Sequence, residues 1–231
     1  FGTRWSGNVY FRNEWVMLDN LDPDSPVDYF EAVDRALLSG VGFELVRTSL
    51  DSNIRPTRGS RLELGVEQVG LLFGDYDFTK FRTDAIAFFP LDKTFEGATT
   101  VLSLRNRINY IPQDVDKVPV YERYYLGGQS FRGFGSRAVS PIGIRNDTKT
   151  PGDEPVGGTW SFFLGAELYQ PVYDDVIGVV GFIDTGTVLD EPGFDDYRVS
   201  VGVGARILVE ALSPVPLAFD LGFPILREDT D

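Results

Sequence analysis

Apolar and polar side chains alternate one for one through most of this chain, and that constrains its fold more than any other feature. From Trp5 the odd positions run Trp5, Gly7, Val9, Phe11, Asn13, Trp15, Met17, against Ser6, Asn8, Tyr10, Arg12 and Glu14. The cleanest case sets Tyr197, Val199, Val201, Val203, Ala205, Ile207 and Val209 against Arg198, Ser200, Gly202, Gly204 and Arg206. A period of two marks strands with two unlike faces. The same habit returns in 41–50, 60–70, 77–89, 100–110, 160–170, 176–188 and 215–225. The chain therefore reads as all-β and antiparallel, with about nine strands over residues 1–231.

Composition suits a soluble sandwich and a membrane barrel alike. Several of these segments run for about 11–15 residues, beyond the usual globular strand of about 5–6 and long enough for a tilted span of a bilayer. Trp5, Trp15, Tyr110 and Trp160 sit near strand ends, where interfacial girdles belong. The face opposite the apolar one carries charges of both signs at mid-strand. Length and aromatic placement together favour a transmembrane β-barrel. No apolar run reaches the ~20 residues of a spanning helix, which leaves a barrel untouched.

The spacing predicts short connections at 51–59, 73–75, 172–175 and 213–214, and long ones at 19–39, 91–98, 112–157 and 189–196. It also predicts a short helix in 27–38. Bacterial single-chain barrels have an even strand number, and LREDTD (226–231) is unfit for a strand. Nine strands then read as part of a larger barrel, with strands missing before Phe1 and at least one after Asp231, since an open edge in lipid leaves backbone groups unsatisfied.

The chain has no histidine and no cysteine, which excludes Ser–His–Asp, Cys–His and His-zinc chemistry. Paired-carboxylate catalysis stays open, but no enzyme, cofactor or metal site is expected. A formal charge of −14 argues against nucleic acid as a partner. The acidity reads as solvated loops, or as adaptation to a salty exterior.

The longest connection holds VYERYYLGGQSFRGFGSRAVSPIG (120–143). Its E-R-Y-Y-x-G-G, then hydrophobic-R-G-F, then S-P-x-G resembles the inward-folded sixth extracellular loop of the outer-membrane β-barrel assembly family. That family holds BamA-type insertases, TamA-type and two-partner-secretion barrels, and organelle import barrels. LDSNIRPTRGSRLEL (50–64) resembles the family's periplasmic D-x4-P-x2-G-x-R turn, GFIDTGTV (181–188) an aspartate-bearing strand, and ARILVEALSPVPLAFDLGFPI (205–225) the penultimate hairpin. The four matches occur in family order.

The resemblance implies a loop, 112–157, folded into the barrel lumen. The Phe131-Arg132-Gly133-Phe134 motif would set Arg132 on Glu167 and Asp184 of the inner wall, with Glu122, Tyr125, Gly127 and Gly128 supporting the loop. The alternation places Glu167 on a polar face; Asp184 shares its face with Val180 and Phe182. A guanidinium offers a rigid fork to carboxylates. The alternative reading of the segment is a flexible, glycine-rich surface loop with an idle arginine. The resemblance further implies a sixteen-stranded barrel, of which these nine strands belong to the C-terminal half with the last strand absent, and upstream periplasmic repeats. It implies as partners nascent outer-membrane proteins, accessory lipoproteins and outer-membrane lipid, and as activity the insertion of β-barrel proteins at a lateral seam. A secretion or TamA-like barrel of the same family is the alternative, with a passive diffusion porin as a third reading.

Overall fold

A computed structural model describes residues 4–32, 35–95, 98–173, 176–209 and 215–226, the side chains of 92–95 and 98 excepted. Strand β1 is Arg4–Met17, followed by a single-turn helix α1, Val27–Glu31. Then come β2 (Arg35–Thr48), β3 (Gly59–Val69), β4 (Phe78–Phe95) and β5 (Ala98–Tyr110). A small hairpin, β6 (Ile142–Ile144) and β7 (Pro151–Pro155), lies inside the long loop. The chain continues through β8 (Trp160–Tyr173), β9 (Ile177–Leu189), β10 (Arg198–Ile207) and β11 (Leu217–Leu226).

Nine of these strands form one antiparallel sheet in the order β1-β2-β3-β4-β5-β8-β9-β10-β11. It is a meander, so chain neighbours are sheet neighbours throughout. Among the described residues the sheet is open, with β1 and β11 at its edges.

The register shows what each face does. One row crosses six strands through Val9, Phe43, Val66, Phe81, Tyr110 and Trp160, all on the same side. These side chains meet no second sheet: Val9 is 71% exposed and Leu221, on β11, 66%. A belt of apolar side chains this extensive is an interaction surface, not a solvated one. A sandwich, whose apolar faces meet in a dry core, is thereby excluded. The strands present the belt that lipid requires, and no helix among the described residues is long and apolar enough to cross a membrane.

The buried clusters lie on the other face, beneath the loop that joins β5 to β8. Leu38, Val69, Phe78, Ile111 and Val118 form one; Leu126, Phe131, Val139, Phe163 and Val188 form the other.

Three expectations about connections are corrected. The predicted helix over 27–38 stops at Glu31, and β2 begins at Arg35. Ala36 and Leu38 are fully buried under the loop, so this end of β2 lacks the apolar–polar contrast that marks a strand. The predicted long connection 91–98 is strand wherever it is described: β4 runs to Phe95 and β5 starts at Ala98, with Pro90 paired to Val101 beside a register shift, and residues 96–97 lie outside the described residues. The segment around 73–75, predicted short, is an eight-residue connection, 70–77, on the rim of the other long loops. Residues 174–175 of one expected turn, 213–214 of another, and 227–231 lie outside the described residues.

The turn between β2 and β3 closes as its composition suggests. The Asp51 carboxylate accepts the backbone N–H groups of Thr57 (2.9 Å) and Arg58 (3.1 Å) and the Thr57 hydroxyl, an aspartate organising its own turn.

Candidate functional site on the polar face

The β5–β8 loop lies across the polar face, and Arg132 is its main point of attachment. Arg132 donates from Nε to Asp184 Oδ2 (2.8 Å) and from Nη2 to Asp184 Oδ1 (2.9 Å), a two-pronged fork. Its Nη1 donates to Glu167 (2.5 Å) and, more weakly, to Asp220 (3.4 Å). The guanidinium carbon stands 3.5 Å from the centre of the Phe182 ring. The backbone N–H donates to Asp184 (3.2 Å), and the carbonyl accepts the Ser200 hydroxyl (2.5 Å). One residue thus reaches all four strands from β8 to β11.

The register explains the convergence. Glu167, Phe182, Gly202 and Gly222 form one row across β8–β11; Gly165, Asp184 and Ser200 form the next. The glycines leave space where the loop needs it. Gly133 has φ +89°, and a Cβ there would sit 2.9 Å from Ser200 Cβ. A Cβ on Gly222 would lie 2.6 Å from the Gly133 nitrogen. Loop backbone and wall backbone touch, which only glycine allows at both positions.

A second arginine completes the cluster. Arg206, on β10, donates to Asp220 at 2.6 and 3.2 Å and to Glu167 at 3.1 Å. Three carboxylates share two guanidinium groups, so the wall stays net acidic toward the loop. Burial alone would lower the Arg132 pKa; its bonds to Asp184 and Glu167 outweigh that and raise it above the ordinary arginine value.

The motif phenylalanines serve as a wedge. Phe131 is fully buried and meets Phe134 edge-on at 4.9 Å and Phe163 of β8 at 5.7 Å. Gly127 and Gly128 both hold positive φ. The Gly128 N–H donates to the carbonyls of Phe134 (3.0 Å) and Gly135 (3.1 Å), closing the motif into a compact knot. Arg107 of β5 donates to the Ser130 carbonyl and stacks over Phe163 at 4.3 Å.

Glu122 and Tyr125 lie apart from Arg132. Glu122 is 7% exposed and accepts Arg12 at 2.7 and 3.0 Å and Lys80 at 2.9 Å. Arg12 is on β1 and Lys80 on β4. Burial pushes the Glu122 pKa up, but the hydrogen bonds and charges of Arg12 and Lys80 outweigh it and leave it lowered. The Tyr125 hydroxyl donates to the Val120 carbonyl (2.8 Å), and Arg137 stacks on its ring at 4.6 Å.

Sequence reasoning singled out Arg132, Glu167 and Asp184, and the structure brings them together. It missed Phe182, Ser200, Arg206 and Asp220. For the polar ones the phase was visible, since Ser200 lies between Val199 and Val201, Arg206 between Ala205 and Ile207, and Asp220 between Phe219 and Leu221. Which polar-face residues meet the loop was not. Among the described residues no group of histidine, cysteine, aspartate and glutamate side chains is arranged to hold a metal ion.

The arrangement has relatives. The Omp85 superfamily domain matches residues 1–231. The chain is 29% identical over 227 residues to the outer membrane protein assembly factor BamA of Nitratidesulfovibrio vulgaris, covering 93% of this chain and 26% of that protein. It is 29% identical over 140 residues to the sorting and assembly machinery component 50 homolog of Bos taurus, covering 59% of this chain and 27% of that protein. The chain thus spans about a quarter of the length of these relatives. Among solved structures, BamA from Haemophilus ducreyi lacking POTRA domains 1-3 shares the fold with a TM-score of 0.76 at 19% identity, over 98% of this chain and 48% of that one. CdiB from Acinetobacter baumannii does so with a TM-score of 0.65 at 15% identity, over 99% and 36%.

Proposed function

This chain belongs to the Omp85 superfamily of outer-membrane β-barrels, and on that premise we propose that the full-length protein folds and inserts β-barrel proteins into the outer membrane. The observation that carries this reading is the seat of Arg132 on Asp184 and Glu167. It holds a compact loop against the inner wall while the outer face of the same strands is given over to lipid. A lumen occupied this way is poorly suited to steady conduction, which disfavours a diffusion porin.

The action needs no covalent step. A nascent outer-membrane strand adds to an exposed strand edge by backbone hydrogen bonds, at a lateral seam of the full-length barrel. Thinned bilayer at such a seam lowers the barrier to insertion. The loop keeps the wall in the geometry that the seam requires. Partners are nascent outer-membrane proteins, accessory lipoproteins and the lipid itself.

The test is reconstitution of the full-length protein in liposomes with a urea-denatured small barrel as client, its folding read by gel mobility without heating. The protein accelerates client folding, and Arg132→Gln reduces the acceleration. Equal client folding with and without the protein contradicts the proposal. Passage of a soluble passenger across the liposome without client folding would assign the secretion role instead.

A further inference from the structure

Ion pairs join the loop to the wall at two sites, and the two sites have opposite polarity. At Glu122 the loop supplies the carboxylate and the wall the cations, Arg12 of β1 and Lys80 of β4. At Arg132 the loop supplies the cation and the wall the carboxylates, Glu167 of β8, Asp184 of β9 and Asp220 of β11. The first site is itself braced from the wall, since Glu67 of β3 holds Arg12 Nε at 2.8 Å. The Glu122 carbonyl also accepts Lys80 at 2.9 Å, so that lysine grips both backbone and side chain.

The nine residues between the sites, 123–131, are held stiffly. Tyr124 exchanges backbone hydrogen bonds with Gly158 (2.9 and 3.0 Å), and Leu126 with Val139 (both 3.1 Å). Arg123 donates to the Val118 carbonyl (2.9 Å) and to Asp28 of α1 (2.5 Å). Ser130 bonds back to Gly127 through both its backbone N–H (3.1 Å) and its hydroxyl (2.8 Å). Little slack remains along this path to absorb movement at either end.

We infer that Glu122 is a positioning residue for Arg132, and that residues 122–132 form a rigid tie holding the β1–β4 side of the wall to the β8–β11 side. Opposite polarity fixes the direction of docking. A reversed or slipped loop sets Arg132 against Arg12 and Lys80, and Glu122 against three carboxylates, and like charges brought together in a confined site are strongly disfavoured. The tie is a series element: released at one end, it no longer constrains the other. The inference rests on the lumen reading of the polar face and not on client insertion, so the two fail separately.

The test measures the far end of the tie. The 231 residues hold no cysteine, so spin labels go onto Gln129→Cys, at the exposed tip of the loop, and Ile183→Cys, on the outer face of β9, in the full-length protein. The parent gives a narrow distance distribution. Glu122→Gln broadens it, as Arg132→Gln does, and the double variant is no broader than Arg132→Gln alone. Arg145→Gln, which breaks an exposed pair with Asp147 off the path, leaves it narrow. Where Glu122→Gln does not fold, Lys80→Met removes a partner of Glu122 from the wall side and is read the same way. A distribution as narrow as the parent's in the Glu122 or Lys80 variant overturns the inference. So does a double variant broader than both singles, or equal broadening by Arg145→Gln.

Discussion

Asp184 takes three hydrogen bonds from one residue: the Nε and Nη2 of Arg132 at 2.8 and 2.9 Å, and its backbone N–H at 3.2 Å. Only a planar fork attached to a fixed backbone satisfies all three. Arg132→Lys keeps the charge but loses the fork. The expected cost is about 1.5–3 kcal/mol, the worth of a hydrogen bond to a charged group. Thermal unfolding of the full-length protein in detergent checks it; the lysine variant melts nearly as early as Arg132→Gln.

The contact between Gly133 and Gly222 predicts a purely steric lesion. Gly222→Val alters no charge, yet its Cβ would overlap the Gly133 backbone. The loop leaves its seat, and limited proteolysis cuts near Arg137 in the variant under conditions that leave the parent intact. The barrel itself stays folded, as its gel mobility without heating reports.

The Glu122 pKa is lowered in the folded protein, so its ion pairs stabilise fully above the unfolded carboxylate value of about 4.3 and are lost as pH falls through the lower folded value. The melting difference between the parent and Glu122→Gln is therefore flat from pH 5 to pH 8, on the order of the range where carboxylates stay ionised. It shrinks below that range. Melting curves at a series of pH values check this, and a difference that grows on acidification contradicts it.

Val203 and Leu221 are register partners on β10 and β11, and both are exposed on the outer face. An arginine at either, mid-strand in lipid, costs about 2–4 kcal/mol. Ser103, on the polar face of β5, tolerates arginine with a much smaller loss. Urea titration into liposomes separates the two cases by several-fold.

Much of this was legible in the alternation, for a physical reason: where one face meets lipid and the other a polar lumen, every second residue reports its side. Legibility fails where that contrast disappears. At Ala36 and Leu38 the loop covers the inner face with its own apolar residues, both faces become apolar, and the strand reads as helix. Beside Asp184, Phe182 breaks the polar pattern of its face because it lies under the Arg132 guanidinium. The motif made Arg132 visible. Arg206 and Asp220 join it because a loop distant in the chain docks over their strands, and a single sequence holds no record of that docking.

The most direct test of the account is a double-mutant cycle between Arg132 and Asp184 in the full-length protein in liposomes, with unfolding free energy as the readout. Side chains joined as these are couple by about 0.5–3 kcal/mol, so the Arg132→Gln, Asp184→Asn double variant should lose clearly less than the two single losses combined. Losses that add to within about 0.5 kcal/mol would mean that the arginine is not clamped to this wall.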